Sequence, residues 1–206
     1  MKKIISLMLA LLLCLTATAL AESTPSRMTS DMTAIEVEAE SLPSGSGFFI
    51  EPVVENDANY QTHVDACAAE VEKLAASADV ESYFGSVTDS EGNVVSLKEM
   101  LGTDTLNVYE FYPLIAGAYE EAYGKVTARM LFSTPYEKDE KVVVMIGLVT
   151  TDANGERSVQ WTAYEGIGLG PVEGAIESMG GIEVELDPAV VKAIQDGIAL
   201  LAVVSR

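Results

Sequence analysis

The stretch from Val142 to Tyr164 constrains the fold most, because its three parts together specify a β-hairpin. Val142-Val-Val-Met-Ile146 is an apolar run of the right length for a buried strand. Asp152-Ala-Asn-Gly155 supplies residues that tolerate positive φ, which a tight hairpin turn requires. Ser158 to Tyr164 is then the partner strand. Within it Trp161 shares a face with Val159 and Ala163, whereas Ser158, Gln160, Thr162 and Tyr164 share the other. The indole is therefore expected on the apolar side, buried rather than offered as a sugar-stacking platform.

On both sides of this hairpin, across residues 125–206, the pattern stays strand-like. Lys125 to Phe132 alternates weakly before it, and Thr134 to Glu140 reads as a connector. Gly166 to Gly181 reads as a glycine-rich loop, followed by the strand Ile182 to Leu186. Asp187-Pro188 places a capping residue and a first-turn proline at the start of a short helix, Ala189 to Gln195. Ile198 to Val204 is then a last buried strand. The chain before residue 125 differs. Ile35 to Glu40 alternates as a half-exposed strand, Ser41 to Gly47 is a bend, and Phe48 to Ile50 is a second short strand. From Tyr60 to Ala76 the period becomes helical, with Val64, Cys67, Ala68, Val71, Leu74 and Ala75 on one face. A short helix ends at Gly85, and Ser96-Leu-Lys-Glu99 opens another that ends at Gly102. Asn107 to Gly124 carries a stripe of helical spacing from Val108 to Ala122, so a helix kinked at Pro113 is predicted there. The reading is α+β: a mainly helical module over 34–124, then a strand-rich module over 125–206.

Residues 125–206 resemble the small immunoglobulin-like sandwiches appended to secreted bacterial proteins. The resemblance rests on strands at short spacing, Trp161 in an inner strand, and the helical corner Asp187 to Gln195 before the closing strand. It implies a β-sandwich with exposed loops at its ends. No cysteine pair brackets Trp161, so the antibody-type hallmarks are absent.

The first 21 residues have the layout of a cleavable secretory signal: Lys2 and Lys3, an apolar run from Ile4 to Leu15, and Ala19-Leu-Ala21 at the exit. The run is short for a membrane-spanning helix, and Thr16 and Thr18 interrupt its continuation. Lipidation at Cys14 is disfavoured because large Leu13 precedes it and apolar residues continue to Leu20. Cleavage after Ala21 is expected, with residues 22–33 a flexible leader. Loss of Cys14 leaves Cys67 alone, so no intramolecular disulfide forms and burial must hold the fold. Removal of Lys2 and Lys3 leaves ten basic residues against 32 acidic. That balance repels nucleic acid and anionic membrane surfaces.

Four features invite a chemical reading, and each has a structural one. His63 and Cys67 lie side by side on one helix, but Cys67 belongs to its buried stripe, where a free cysteine acts as a small hydrophobe. One histidine and one cysteine also fall short of a zinc signature. Asp152-Ala-Asn-Gly-Glu156 and Asp89-Ser-Glu-Gly-Asn93 offer oxygens at alternate positions for calcium, but neither extends into a twelve-residue loop, and both read as turns. The tyrosines at 109, 112, 119 and 123 read as one packing face, with Tyr109 and Tyr123 left exposed as interface candidates. The glycine-rich stretch lacks a helix start and a basic residue, so phosphate binding is not expected. No catalytic, cofactor-binding or metal-binding residue is assigned. The expectation is a secreted or envelope-associated, non-enzymatic protein whose partner is an extracellular protein or glycan. A hydrolase built from scattered carboxylates and a calcium-dependent adhesion module are the alternatives.

Overall fold

The computed structural model describes residues 34–132, 136–171 and 180–206. The expected signal segment, the leader, part of the 134–140 connector and residues 172–179 of the glycine-rich stretch lie outside the described residues.

Strands account for nearly half of the described chain: β1 (Ala34–Ala39), β2 (Phe49–Pro52), β3 (Val87–Asp89), β4 (Val94–Val95), β5 (Asn107–Gly117), β6 (Val126–Phe132), β7 (Lys138–Thr151), β8 (Arg157–Pro171), β9 (Gly180–Leu186) and β10 (Ile198–Ser205). The helices are α1 (Tyr60–Ala76), α2 (Val80–Phe84), α3 (Leu97–Leu101) and α4 (Pro188–Asp196). The main path is antiparallel throughout, in the order β1-β6-β9-β8-β7-β10-β5-β2. Its two ends, β1 and β2, come into contact. The class is α+β and sheet-rich, as expected. The immunoglobulin-like sandwich is not confirmed: what the pairing shows is a nearly closed, barrel-like sheet. Strands from both sides of residue 125 share it, since β1 pairs with β6, and β5 lies between β10 and β2.

The hairpin forms where the sequence placed it. Asp152 and Glu156 close its turn, and Gly155 takes the positive φ of 85° that the turn requires. Gly147 pairs with Trp161 and Val143 with Glu165. Alternation then sorts the side chains into two cores. Inward residues of β7, such as Val144 and Ile146, join Tyr112, Leu114, Phe132, Leu186 and others in the interior of the curled sheet. Val190, Val191 and Ile194 of α4 pack on that same core. Outward residues, including Val143, Met145, Trp161 and Ala202, face Cys67 and Leu74 of α1, Phe84 of α2, and Leu97 and Leu101 of α3.

The largest departure from the sequence reading is residues 107–124. The predicted kinked helix is instead β5, followed by a 3₁₀ turn at Glu121–Tyr123. Both faces of β5 are covered: Tyr112 and Leu114 point inward, and Phe111 points out under the helices. Apolar residues therefore occupy consecutive positions, the two-residue period disappears, and a helical spacing arises by coincidence. Pro113 fits because its carbonyl accepts from Val53 N at 3.0 Å, one residue past the end of β2. The donor it lacks falls at the last rung of that ladder, where its loss costs least.

The glycine-rich stretch is a second correction. Residues 166–171 continue β8, and 180–181 begin β9. Glycine recurs at inward positions because the chain is tight there: a Cβ on Gly168 would overlap the carbonyl oxygen of Glu137, and one on Gly166 would sit 3.0 Å from the Val142 side chain.

Candidate functional site

α1 occupies the residues the periodicity indicated, but its buried face is rotated. His63, Ala66, Cys67, Glu70 and Leu74 are buried, whereas Val64, Ala68 and Val71 are only partly so and Ala75 is exposed. Two polar side chains thus lie under the helix. Glu70 accepts a hydrogen bond from Tyr83 Oη at 2.9 Å and is ion-paired with Lys73. Burial, with Glu70 beside it, pushes the Tyr83 phenol up and keeps it a donor. Glu70 is absent from the apolar stripe that the sequence predicts for this helix. Only its Lys73 partner, three residues on, was a signal available in the sequence.

His63 and Cys67 are both buried on α1, and the geometry does not make them a nucleophile and its base. The Cys67 thiol lies 4.0 Å from the Phe111 carbonyl, toward which it donates weakly. Burial, reinforced by Glu70, pushes it up to about 12. A thiol in that range carries almost no thiolate at neutral pH. Burial lowers the His63 pKa against the opposing pull of Asp57, and its Nδ1 has no hydrogen-bond partner.

The two acidic loops are the same turn used twice. Asp152 Oδ1 accepts from the backbone amides of Asn154 and Glu156, each at 2.8 Å. Asp89 Oδ1 accepts from those of Glu91 at 2.9 Å and Asn93 at 2.8 Å. The oxygens a cation would need are directed into the loop. Among the described residues no group of three or more His, Cys, Asp or Glu is placed to hold a metal ion.

Trp161 is 6% exposed, edge-on to Phe84, Phe111 and Tyr83 with ring centroids 5.1, 5.7 and 6.2 Å away. It is a joint between helices and sheet. Tyr123 is also buried, which corrects its reading as an exposed contact. It stands edge-on to Tyr119 at 5.9 Å, and Phe48 lies at 6.3 Å. The Tyr109 side chain lies outside the described ones.

What remains is a surface the sequence did not single out. α1, α2 and α3 cover the outer face of the sheet from β5 to the start of β8; among the described residues no helix packs on the outer face of β9, β6 and β1. Pairing aligns the outward residues in rows across the strands. One row runs Lys141, Ile167, Glu183, Arg129, Glu36. Beside it lie Val143 and Glu165 on β7 and β8, then Glu185, Thr127 and Glu38. β8 also changes partner here: parallel β3 covers it at Thr162 and Ala163, and β9 from Gly166 onward. A depression of about 350 Å³ opens at this fork, bounded by Met100 of α3 and floored by Val143 and Ile167. A second, of about 360 Å³, runs on to Leu42 and shares Thr127 and Glu185 with the first. Together they make one trough across the strands. Ile167 in it is 45% exposed. Arg129 bridges Glu183 at 2.7 Å and Glu38 at 3.1 Å, and Lys125 pairs with Glu185 at 2.6 Å. Glu165 is exposed and forms no ion pair among the described residues.

No family model matches this chain, and neither the curated proteins nor the solved structures contain a match. Among the described residues no helix is long and apolar enough to cross a membrane.

Proposed function

We propose that this chain is an exported protein, secreted or held at the cell envelope, that acts by binding another extracellular component and not by turning over a substrate. The observation that carries the reading is the one-sided cover of the sheet. Helices seal one part of its outer face, and the rest holds a trough with a half-exposed isoleucine in it. An aliphatic side chain left open beside a depression, with charged groups around it, has the anatomy of a contact surface: an apolar centre within a polar rim. The basic and apolar layout of residues 1–21 supports export, and the acidic excess supports solubility outside the cell. The resemblance of residues 125–206 to appended immunoglobulin-like modules is retained here as a proposal about role, that of a binding module.

The test is a photo-crosslinking residue in place of Ile167, with the same residue in place of exposed Glu72 on α1 as control, in cells exporting the protein. A discrete adduct at 167 and none at 72 is expected. No adduct at 167, or the same products at both positions, would remove the binding role. Mass spectrometry of the exported chain should find Glu22 at its N-terminus; retention of Met1 would remove the export half.

A further inference from the structure

We infer that the trough docks an extended, lysine- or arginine-bearing segment of a partner protein. This rests on the binding role proposed above and specifies its ligand. The direction of the trough comes first. It crosses β7, β8, β9, β6 and β1, which is four strand spacings of ~4.8 Å, or roughly 19 Å, and about six residues of extended chain. Because it runs over the face and not along an edge, recognition is through side chains.

Charge then selects the occupant. Glu38, Glu40, Glu165, Glu183 and Glu185 line the trough against Lys125 and Lys141. Even counting Arg129, which bridges two of these acids, carboxylates exceed cations by two. Glu165 stands next to the apolar floor with its charge uncompensated, since Val143 is its cross-strand partner. A cationic side chain placed there would gain an ion pair while the residue two places along the extended peptide, on the same face, covered Ile167 and Met100. A second copy of this chain would bring a formal charge of −20 against the same acids, so self-association on this face is opposed. A metal ion is a poorer occupant, because the carboxylates are spread along the trough and most are already bridged to cations.

The experiment titrates the isotope-labelled exported protein with two blocked hexapeptides in which serine separates the side chains that share a face, Leu-Ser-Lys-Ser-Leu-Ser (the Leu-Lys peptide) and Leu-Ser-Glu-Ser-Leu-Ser (the Leu-Glu peptide), and follows backbone amide signals. The Leu-Lys peptide should bind saturably, with shifts clustered at Thr127, Glu165, Ile167 and Glu185, and more weakly as salt rises from about 0.05 to about 0.3 M. Glu165→Lys should weaken it by about tenfold, and Glu72→Lys on α1 by less than about twofold. Equal affinity for both peptides, shifts scattered over the surface, or an equal loss from Glu72→Lys would overturn the inference. Crosslinks at position 167 with no preference for the Leu-Lys peptide would leave the binding role standing and defeat only the cationic ligand. Absence of both would defeat the two together.

Discussion

Gly147→Ala separates what a β-strand ordinarily prefers from what this packing allows. Gly147 is in β7, its φ is not in the left-handed region, and replacing glycine by alanine at such a site normally stabilises by about 0.4–1 kcal/mol through the unfolded chain. Here a Cβ would lie 2.6 and 2.8 Å from two carbons of the Trp161 six-membered ring and 2.7 Å from a Val159 methyl. Ordinary carbon–carbon contact begins near ~3.5 Å, so the indole must retreat by roughly 0.9 Å. It has little room to do so, because Phe84 and Phe111 stand against it on the helix and β5 sides. Overpacking costs about 1–3 kcal/mol, and three contacts under 3 Å against a walled-in ring put this one at about 2–3 kcal/mol, which less a backbone gain of about 1 kcal/mol leaves a net loss of about 1–2 kcal/mol. For a chain of this size that is a fall of about 2–8 °C in Tm. Urea unfolding followed by tryptophan emission and by circular dichroism measures it, and Trp161 is the chain's single tryptophan, so the emission reports this joint alone. In a Trp161→Phe background the alanine should cost less by at least about 0.5 kcal/mol, since the ring it strikes is smaller. Unchanged or raised stability from Gly147→Ala, with an unshifted emission maximum, would refute the packing argument.

Three further outcomes follow from the same structure. Cys67, with its thiol pushed up to about 12 by burial, should not react with a disulfide reagent at about pH 8 in the folded protein and should react at once in urea; fast native labelling would contradict its burial. His63 has a folded pKa below its unfolded value, so the unfolded chain takes up the proton first. Its share of stability is present above about pH 6.5 and is lost as pH falls through the folded value. Urea midpoints measured from about pH 7.5 down to about 5.5 should decline in the native chain and flatten in His63→Leu; equal slopes would assign the effect elsewhere. Asp152→Ala removes the acceptor for two backbone amides and should lower Tm, Asp152→Asn should retain most of it, and calcium or chelator should leave Tm unmoved. A rise in Tm with calcium would return that loop to the metal sites.

Local chemistry made the turns and caps legible in the sequence. Gly85 and Gly102 take positive φ at helix ends, Ser96 Oγ accepts from Glu99 N, and the hairpin at Asp152 closes as its residues indicate. Each of these depends on neighbours within four positions. β5 was not legible because its two faces meet different cores, so its residues carry no periodicity of their own. The same cause hid the curled sheet: β1, β2 and β5 belong to it only through partners 60 or more residues distant. The trough was least legible. Lys141, Glu165, Ile167 and Glu183 are unremarkable in order, and only the register of β7, β8 and β9 places them on one face. What distinguishes Glu165 from the other acids is a relation that no window of sequence contains. β8 passes from β3 to β9 at that point, leaving its carboxylate beside an open apolar floor. Glu165→Gln, which removes that charge at an exposed position, should therefore weaken the site electrostatically while leaving the ladder intact. Loss of Leu-Lys peptide binding in that variant, at unchanged Tm, would attribute recognition to the uncompensated charge; full binding would place it in the apolar floor alone.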